Sequence, residues 1–433
     1  MIKNNGLLFL YSIFSLIIAL TIAVLAGPNM LSNYMAVSAL IALIINKLID
    51  DKRAFYLAFF AIYCLLGQSI SLLIIEHGWV LVELGGVKTY TTYALLFLVI
   101  TAFFFINILC FIIKKAIYSK VNNDFFSKLK GNKLIYFLPV LYLILVYLPV
   151  FIYGSAYTLT GGNRVTYREA LPDFFSYLIQ IRALIFPLAG LYIFNEKKRL
   201  AYIYILMVVL WNLLIGEKAS GIIVSIYSIF LPYFLIEYKK INDLKLFIFL
   251  FVSVFFIIIS IILNYVFVEK NQVSFILDRF SMQGQLWWYY FNEIISNKMP
   301  THYFLDEFTN EDTGLISLMR YAMPSGLYES YMKFGYILTS GFPSIFVFYF
   351  GYYWLLPTFL CSLVFVIPVY FITKSLYCGD IFSFLIATRI FSSLITLVAE
   401  GSIASFLDYK LFIYVFILIF LQYFPRLKIK FRK

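Results

Sequence analysis

Charged residues are scarce in this sequence. Asp, Glu, Lys and Arg make up only 13% of its 433 residues, whereas hydrophobic residues make up 63%. A typical soluble domain is about 25% charged and about 45–50% apolar, so the composition excludes a soluble globular enzyme and a disordered chain. The apolar runs also differ from the short alternating strands of an outer-membrane barrel. The sequence therefore predicts an all-α polytopic membrane protein.

Cysteine and histidine are also rare, with four and two residues. No CxxC pair and no His/Cys cluster occurs, which argues against a disulfide framework and against a zinc site. The sequence also lacks a P-loop, a G-x-G-x-x-G motif at a helix start, an HExxH motif and a serine nucleophile elbow. We therefore predict neither a metal nor another cofactor.

Twelve apolar runs have about the length needed to cross a bilayer, whose hydrocarbon core takes roughly 20 helical residues. We place them at 6–26, 31–46, 54–75, 92–113, 134–153, 174–194, 201–216, 219–236, 246–268, 354–373, 381–398 and 409–424. The first run is too long for the core of a signal peptide, so we expect a retained span. The apolar stretch 343–353 is either a re-entrant segment or the start of a helix kinked near Gly351 and Pro357.

Basic residues concentrate in alternate connections between these runs. Six lysines lie within 114–133, and further basic groups lie at 197–199, 239–245 and 426–433. Because cytoplasmic loops carry an excess of Lys and Arg, this pattern predicts a multi-pass inner-membrane protein with both termini in the cytoplasm. We expect a single membrane domain, residues 1–433, with one large outer loop at 269–342. The net charge of +12 then reflects membrane topology rather than nucleic-acid binding.

The large loop contains aromatic and polar residues in helical patterns. Trp287 and Trp288 lie in an aromatic run and either anchor a helix at the membrane surface or stack against sugar rings. Arg279 and Gln283 are four residues apart, so they share a face if this segment is helical. Arg320 closes a later apolar turn, where it contacts either a lipid headgroup or a substrate.

Other polar residues lie near the predicted outer ends of the spans. Arg164 and Arg168 belong to a glycine-rich loop whose backbone amides can face an anion. Glu217 and Lys218 occupy a tight turn between two short apolar runs, which is either solvated or part of a site. Arg182 lies about eight residues into a predicted span, where a charge costs roughly 2.5–3.5 kcal/mol and usually faces protein, water or a partner.

Few residues of the large loop can accept a proton or hold a cation. His302 is either a lone surface histidine or a base. Asp306–Glu307 and Glu311–Asp312 form acidic pairs, although acidic residues in loops are usually solvated. These groups are therefore weaker candidates than the arginines, which recognise phosphate through a planar fork of donors.

Twelve spans, a long outer loop and scattered arginines together resemble the Wzy-type oligosaccharide repeat-unit polymerases. The specific similarity lies in the segments Arg279–Trp288, Met323–Tyr328, Phe334–Gly335 and Gly341–Pro343. The resemblance implies a GT-C-like fold and an inverting glycosyltransferase at the periplasmic face. It also implies polymerisation of O-antigen or capsule repeat units on undecaprenyl diphosphate, without a nucleotide sugar or a metal.

In the reaction implied by the resemblance, a hydroxyl of the incoming lipid-linked unit attacks the anomeric carbon of the growing chain, and undecaprenyl diphosphate leaves. Positive charge must stabilise the diphosphate, and a base can accept the hydroxyl proton. The predicted catalytic residues are Arg279, Arg182, Glu217 and His302, with Asp306 and Glu307 as weaker candidates for the base. The predicted substrate-binding residues are Arg164, Arg168, Arg320, Lys218, Gln283, Trp287 and Trp288.

The predicted partners are an undecaprenyl-diphosphate-linked oligosaccharide, the lipid bilayer and, by resemblance, a chain-length regulator, but no nucleic acid. Two other functions stay open. A lipid-linked oligosaccharide flippase or other transporter accounts for the spans and for charge within them, although no internal repeat is visible. An O-antigen ligase uses the same donor, and a loop histidine such as His302 would favour it.

Overall fold

A computed structural model describes residues 2–88, 93–118, 134–162, 164–192, 198–217, 219–236, 277–278, 280–295, 314–333, 335–338, 341–403 and 409–423. The structure is 85% helical, so the predicted all-α class is confirmed. A GT-C-like arrangement stays a prediction.

The described residues form helices α1 to α19 and one antiparallel β-hairpin. The first eleven helices are α1 (Ile2–Ala26), α2 (Met30–Asp50), α3 (Lys52–Glu76), α4 (Ala94–Ala116), α5 (Leu134–Tyr153), α6 (Ala156–Thr160), α7 (Arg164–Ala170), α8 (Asp173–Gln180), α9 (Arg182–Gly190), α10 (Lys198–Leu214) and α11 (Ala219–Ile236). The remaining helices are α12 (Gln285–Ile295), α13 (Leu315–Ala322), α14 (Ser325–Lys333), α15 (Ser344–Phe350), α16 (Leu355–Val364), α17 (Val366–Cys378), α18 (Ile381–Glu400) and α19 (Tyr409–Tyr423). The hairpin pairs β1 (Val80–Leu81) with β2 (Val87–Lys88), with Val80 opposite Lys88.

Seven helical segments within the described residues are long and apolar enough to cross a membrane. They are Gly6–Ala26, Met30–Asp50, Lys52–Glu76, Ala94–Ala116, Ile135–Thr160, Leu355–Cys378 and Ile381–Glu400. Each of them corresponds to a predicted span, which supports a multi-pass membrane protein.

The other predicted spans are not confirmed as membrane crossings. The runs at 201–216, 219–236 and 409–424 form the shorter apolar helices α10, α11 and α19, and the run at 246–268 lies outside the described residues. The run at 174–194 forms two short helices, α8 and α9, which meet at Ile181 with φ −80° and ψ 2°. Pro187 lies within α9, where it removes a backbone donor. Arg182 therefore begins a helix, whereas the sequence predicted it within a continuous span.

The stretch 343–353 is a short helix of its own. Helix α15 ends at Gly351, whose φ of +52° is left-handed, and a 3-10 turn over Gly351–Tyr353 separates it from α16. Residues Ser344 to Tyr349 are all buried, so α15 lies within the protein. The interpretation as one long helix kinked at Gly351 is therefore wrong.

The chain forms two compact units, and the predicted single membrane domain with its loop at 269–342 stays a prediction. Unit 1 comprises Met1–Ala116, Lys270–Ile367 and Ser393–Phe412, and unit 2 comprises Ile117–Glu269, Pro368–Ser392 and Ile413–Lys433. Each unit is thus built from segments that are far apart in the sequence.

Unit 1 begins with four long helices, and side-chain caps fix the starts of α2 and α3. Asn29 caps α2, because its side chain accepts the N–H of Ser32 at 3.0 Å while the Ser32 hydroxyl accepts the Asn29 N–H at 3.2 Å, a reciprocal capping box. The Asp51 side chain accepts the N–H of Arg53 at 2.9 Å at the start of α3. With short connections on both sides, these caps determine where consecutive apolar helices turn back.

Unit 2 is held together by buried aromatic residues that bond to backbone carbonyls. The Trp211 indole on α10 donates to the carbonyl of Val146 on α5 at 3.0 Å. The Tyr142 hydroxyl on α5 donates to the carbonyl of Leu178 on α8 at 2.9 Å. These bonds satisfy polar groups inside an apolar environment, and they fix α5 against α8 and α10.

Candidate functional site

Four charged side chains meet in unit 2. Arg164 Nη1 donates to Oε2 of Glu217 at 2.7 Å, and Arg182 Nη1 donates to Oε1 at 2.8 Å. Arg168 Nη2 also donates to Oε1. We call these four residues the arginine cluster. One carboxylate therefore orients three guanidinium groups that come from two helices.

Local structure explains how these side chains reach one another. Arg164 and Arg168 are four residues apart on α7, so they share one face of that helix. Arg182 opens α9, just after the break at Ile181. Glu217 follows the end of α10, and its N–H donates to the carbonyl of Asn212 at 2.9 Å. The cluster thus depends on two helix starts and one turn.

Glycines allow the surrounding backbone to approach closely. Gly216 has a φ of +72°, and a Cβ there would lie 2.8 Å from the carbonyl oxygen of Gly162. A Cβ at Gly221 would lie 2.5 Å from Oε2 of Glu217. The turn after α10 therefore packs against the loop before α7, and the carboxylate lies directly over the start of α11.

Burial differs sharply between the two kinds of charge. The Glu217 side chain is 0% exposed, whereas the three arginine side chains are 21–32% exposed. These four side chains carry a surplus of two positive charges, and that surplus lies on the accessible side. Arg168 Nε is buried and has no hydrogen-bond partner among the described residues. Arginines in this arrangement suit an oxyanion such as phosphate.

Glu217 is held in its ionised form. Burial by itself would raise its pKa, but the charges of Arg182, Arg164 and Arg168 outweigh burial and lower the pKa from 4.5 to about 2. Burial also lowers the pKa of Arg168, and Glu217 opposes that shift. A general base works best with a pKa near the working pH. The three contacts therefore favour a role in which this carboxylate orients the arginines, and the role of Glu217 as a base stays a prediction.

Two further residues, Asn212 and Ser225, adjoin the cluster and are not among the predicted site residues. Asn212 on α10 is fully buried and its Oδ1 faces Arg182 Nη1 at 3.4 Å, while its Nδ2 lies 3.3 Å from the Ser225 hydroxyl on α11. A lone amide in the apolar run 201–216 was the available signal. Because asparagine is uncharged, burying it costs less than burying Arg182, so Asn212 is a weaker signal in the sequence.

The structure brings together four of the predicted site residues, namely Arg164, Arg168, Arg182 and Glu217. Five further candidates lie outside the described residues, and these are Lys218, Arg279, His302, Asp306 and Glu307.

The remaining candidates belong to unit 1. Trp287 is fully buried, its indole N–H donates to the carbonyl of Ala94 at 2.8 Å, and its ring meets Trp354 edge-on with centroids 5.2 Å apart. It is a core residue with no open face for a sugar, which corrects the predicted role. The sequence predicted either a membrane-surface anchor or a sugar-stacking surface, because composition does not separate exposed from buried aromatics.

Three other predicted substrate-binding residues of unit 1 keep accessible surface. Trp288 is half-buried, and Gln283 and Arg320 are exposed. The Arg320 guanidinium lies 5.8 Å from the ring centroid of Tyr328, a cation–π contact. Arg320 thus has an aromatic neighbour on α14, and its role in binding a substrate stays a prediction.

The cluster is suited to an anion rather than to a metal ion. Guanidinium groups are donors only, and Glu217 is already shared among three of them. Within the part of the chain that the structure describes, no group of three or more His, Cys, Asp or Glu side chains is arranged to hold a metal ion.

The comparisons with known proteins give one match. The family model described as a family of unknown function, DUF6418, matches residues 309–415, about a quarter of the chain. The matched region includes Arg320 and the buried helix α15, but not the arginine cluster. No curated protein and no solved structure matches the chain.

Proposed function

We propose that this protein is an inverting glycosyltransferase of the bacterial inner membrane that polymerises oligosaccharide repeat units carried on undecaprenyl diphosphate. The observation that carries the proposal is the arginine cluster within unit 2. Its arginines are partly exposed, and Glu217 neutralises one of three positive charges. A diphosphate leaving group gains negative charge as the glycosidic bond breaks, and preorganised donors stabilise that charge.

The three arginines provide hydrogen-bond donors in fixed directions as well as positive charge. Each guanidinium presents five N–H donors in a fixed plane, which matches phosphate oxygens in pairs. Glu217 uses one N–H from each arginine, so each guanidinium keeps further donors for a ligand. Because Glu217 fixes the arginines before a ligand binds, less conformational entropy is lost on binding. This arrangement supports Arg164, Arg168 and Arg182 as the diphosphate clamp.

The surroundings of the cluster suit a ligand held in the bilayer. Tyr157 on α6, and Phe174 and Tyr177 on α8, are all more than half exposed. These short helices adjoin the elements that carry the arginines. Aromatic residues are enriched where a protein meets the membrane interface. A lipid diphosphate has its headgroup at the membrane interface and its chain in the hydrocarbon. The arginine cluster suits the headgroup, and the exposed aromatic residues suit the adjoining part of the lipid.

A flippase or other transporter for the same lipid is the second candidate. The helix pair α8 and α9, broken at Ile181 just before Arg182, is the observation that favours it. Transporters often bind their substrate at discontinuous helices. The same arginines would then hold the diphosphate during translocation and would not stabilise a leaving group.

A deletion strain complemented with variants tests the proposal. The deletion should leave lipopolysaccharide or capsule with a single repeat unit, and the intact gene should restore the ladder of polymer bands. Arg182→Ala should abolish the ladder at normal protein levels, whereas Arg199→Ala, an exposed arginine near the other end of α10, should retain it. An unaltered ladder in Arg182→Ala would refute the clamp.

The same strain separates the alternatives. Single lipid-linked units trapped on the cytoplasmic side would indicate a flippase. Finished polymer that accumulates on the lipid without transfer would indicate a ligase. Either pattern in the deletion strain would contradict the polymerase proposal.

A further inference from the structure

Asn212 connects three parts of the site without reaching its surface. It lies on α10 and is fully buried. Its backbone carbonyl accepts the N–H of Glu217 at 2.9 Å, and its side-chain oxygen lies 3.4 Å from Arg182 Nη1. Its side-chain nitrogen donates to the carbonyl of Val208 at 2.8 Å and lies 3.3 Å from the Ser225 hydroxyl.

The chemistry of these partners fixes the orientation of the amide. A guanidinium has donors and no acceptor, so the oxygen of Asn212 must face Arg182 and the nitrogen must face away. The Val208 carbonyl accepts only, which requires the same orientation. Ser225 completes the arrangement, because its hydroxyl donates to the carbonyl of Gly221 at 2.8 Å and can accept from Asn212. A single buried amide thereby links Arg182 to the start of α11.

The neutrality of Asn212 also matters for the charge of the site. Glu217 is the acidic partner of the three arginines, so the four side chains sum to two positive charges. An Asp at position 212 would have nearly the same shape but would add a second carboxylate next to Arg182. The surplus would then fall to one positive charge.

From these contacts we infer that Asn212 is a positioning and specificity-determining residue. It holds Arg182 in the cluster and, because it is neutral, keeps a surplus of two positive charges that favours a dianionic ligand over a monoanionic one. The ligand preference rests on the proposed function, in which the ligand is a diphosphate. The positioning of Arg182 does not depend on that function.

The first measurement concerns position and needs no ligand. Arginine-directed modification by phenylglyoxal, quantified at each arginine by mass spectrometry, reports how well each guanidinium is held. Asn212→Leu removes the acceptor at similar volume and should raise the modification rate of Arg182 about threefold or more, the effect of losing one hydrogen bond. Arg199, which is exposed and distant in sequence, should be unchanged. An unchanged rate at Arg182 would overturn the positioning role.

The second measurement concerns charge and uses binding to the detergent-purified full chain. Asn212→Asp should weaken binding of inorganic diphosphate at least about tenfold and binding of dimethyl phosphate, a monoanion, distinctly less. Asn107→Asp makes the same change at a half-buried amide of α4 in unit 1 and should alter neither affinity. Equal losses for both anions would overturn the specificity role, because a general structural defect would reduce both alike.

Two further outcomes keep the inference separate from the proposed function. If the unmodified protein binds neither anion, the proposed function fails, while the modification rates still decide the role of Asn212. If Asn212→Leu does not fold, Ser225→Ala removes the Ser225 contact of the amide and should raise the Arg182 rate by a smaller factor. An unchanged rate in that variant would count against the positioning role.

Discussion

Replacing Glu217 with Gln removes the one negative charge of the arginine cluster at nearly constant shape. The pKa of Glu217 is lowered from 4.5 to about 2, and each unit corresponds to about 1.36 kcal/mol, so ionic pairing stabilises the fold by roughly 3 kcal/mol at neutral pH. Removing one partner of a buried ion pair costs about 3–5 kcal/mol in measured cases. Because the carboxylate is fully buried, solvent weakens its attraction to the arginines only slightly. We expect a loss of about 3 kcal/mol.

Thermal unfolding of the purified protein in detergent measures this loss. A change of 1 kcal/mol shifts the Tm by about 2–4 °C in a domain of 150–250 residues, so Glu217→Gln should lower the Tm by roughly 6–12 °C. Glu169→Gln is the matched control, because Glu169 is an exposed carboxylate of α7, and its Tm should stay within about 1 °C. If Glu217→Gln has the same Tm as the unmodified protein, the buried charge pairing does not stabilise the fold and the prediction is refuted.

The loss of stability in Glu217→Gln should also depend on pH in a defined direction. A carboxyl group whose pKa is lowered by folding stabilises the protein fully above its ordinary pKa, and this contribution is lost as the pH falls towards the folded value. The difference in Tm between the unmodified protein and Glu217→Gln should therefore be constant from about pH 8 to pH 5. It should shrink between the two pKa values of 4.5 and about 2. A difference that disappears near pH 6 would contradict the assigned ionisation.

Two glycine variants and one tryptophan variant extend these tests. The Tm in detergent is the measurement for each of them and for one control variant. Gly221→Ala places a Cβ 2.5 Å from the Glu217 carboxylate and should lower the Tm, whereas Gly67→Ala in α3 has open space and should not. Gly401→Ala combines a φ of +76° with a backbone atom 2.5 Å away and should cost at least about 1–3 kcal/mol. Trp287→Phe removes the hydrogen bond from the indole to the Ala94 carbonyl and should cost about 0.5–1.5 kcal/mol; an unchanged Tm would show that this bond adds no stability.

Apolar length predicted the long helices well because it is a local property. The runs at 6–26, 54–75 and 134–153 each contain enough consecutive apolar residues to form a span, and each is a long helix in the structure. The run at 174–194 has similar length, but it forms two short helices. Apolar length does not reveal the break at Ile181, because Arg182, which follows it, contacts Glu217 elsewhere in the fold.

The pairing within the site could not be predicted in the same way. Arg164 and Glu217 are 53 residues apart. Their contact depends on how the start of α7 packs against the turn after α10. The sequence identified each residue as unusual for an apolar chain, yet the same reasoning also selected Trp287, which is a core residue. A polar or aromatic residue in such a chain is therefore a sign of constraint, and the packing decides whether that constraint is structural or functional.

Glu217 shows why the role of a residue depends on its partners. From the sequence alone, a lone carboxylate in an outer turn is a reasonable base, since acidic groups accept protons in many enzymes. Three arginines within hydrogen-bond distance change that role, because they stabilise the ionised form far below neutral pH. The same contacts make the arginines ready to bind an anion, since their orientation is fixed before it arrives. The contacts of Glu217 therefore favour an orienting role over the predicted role as a base.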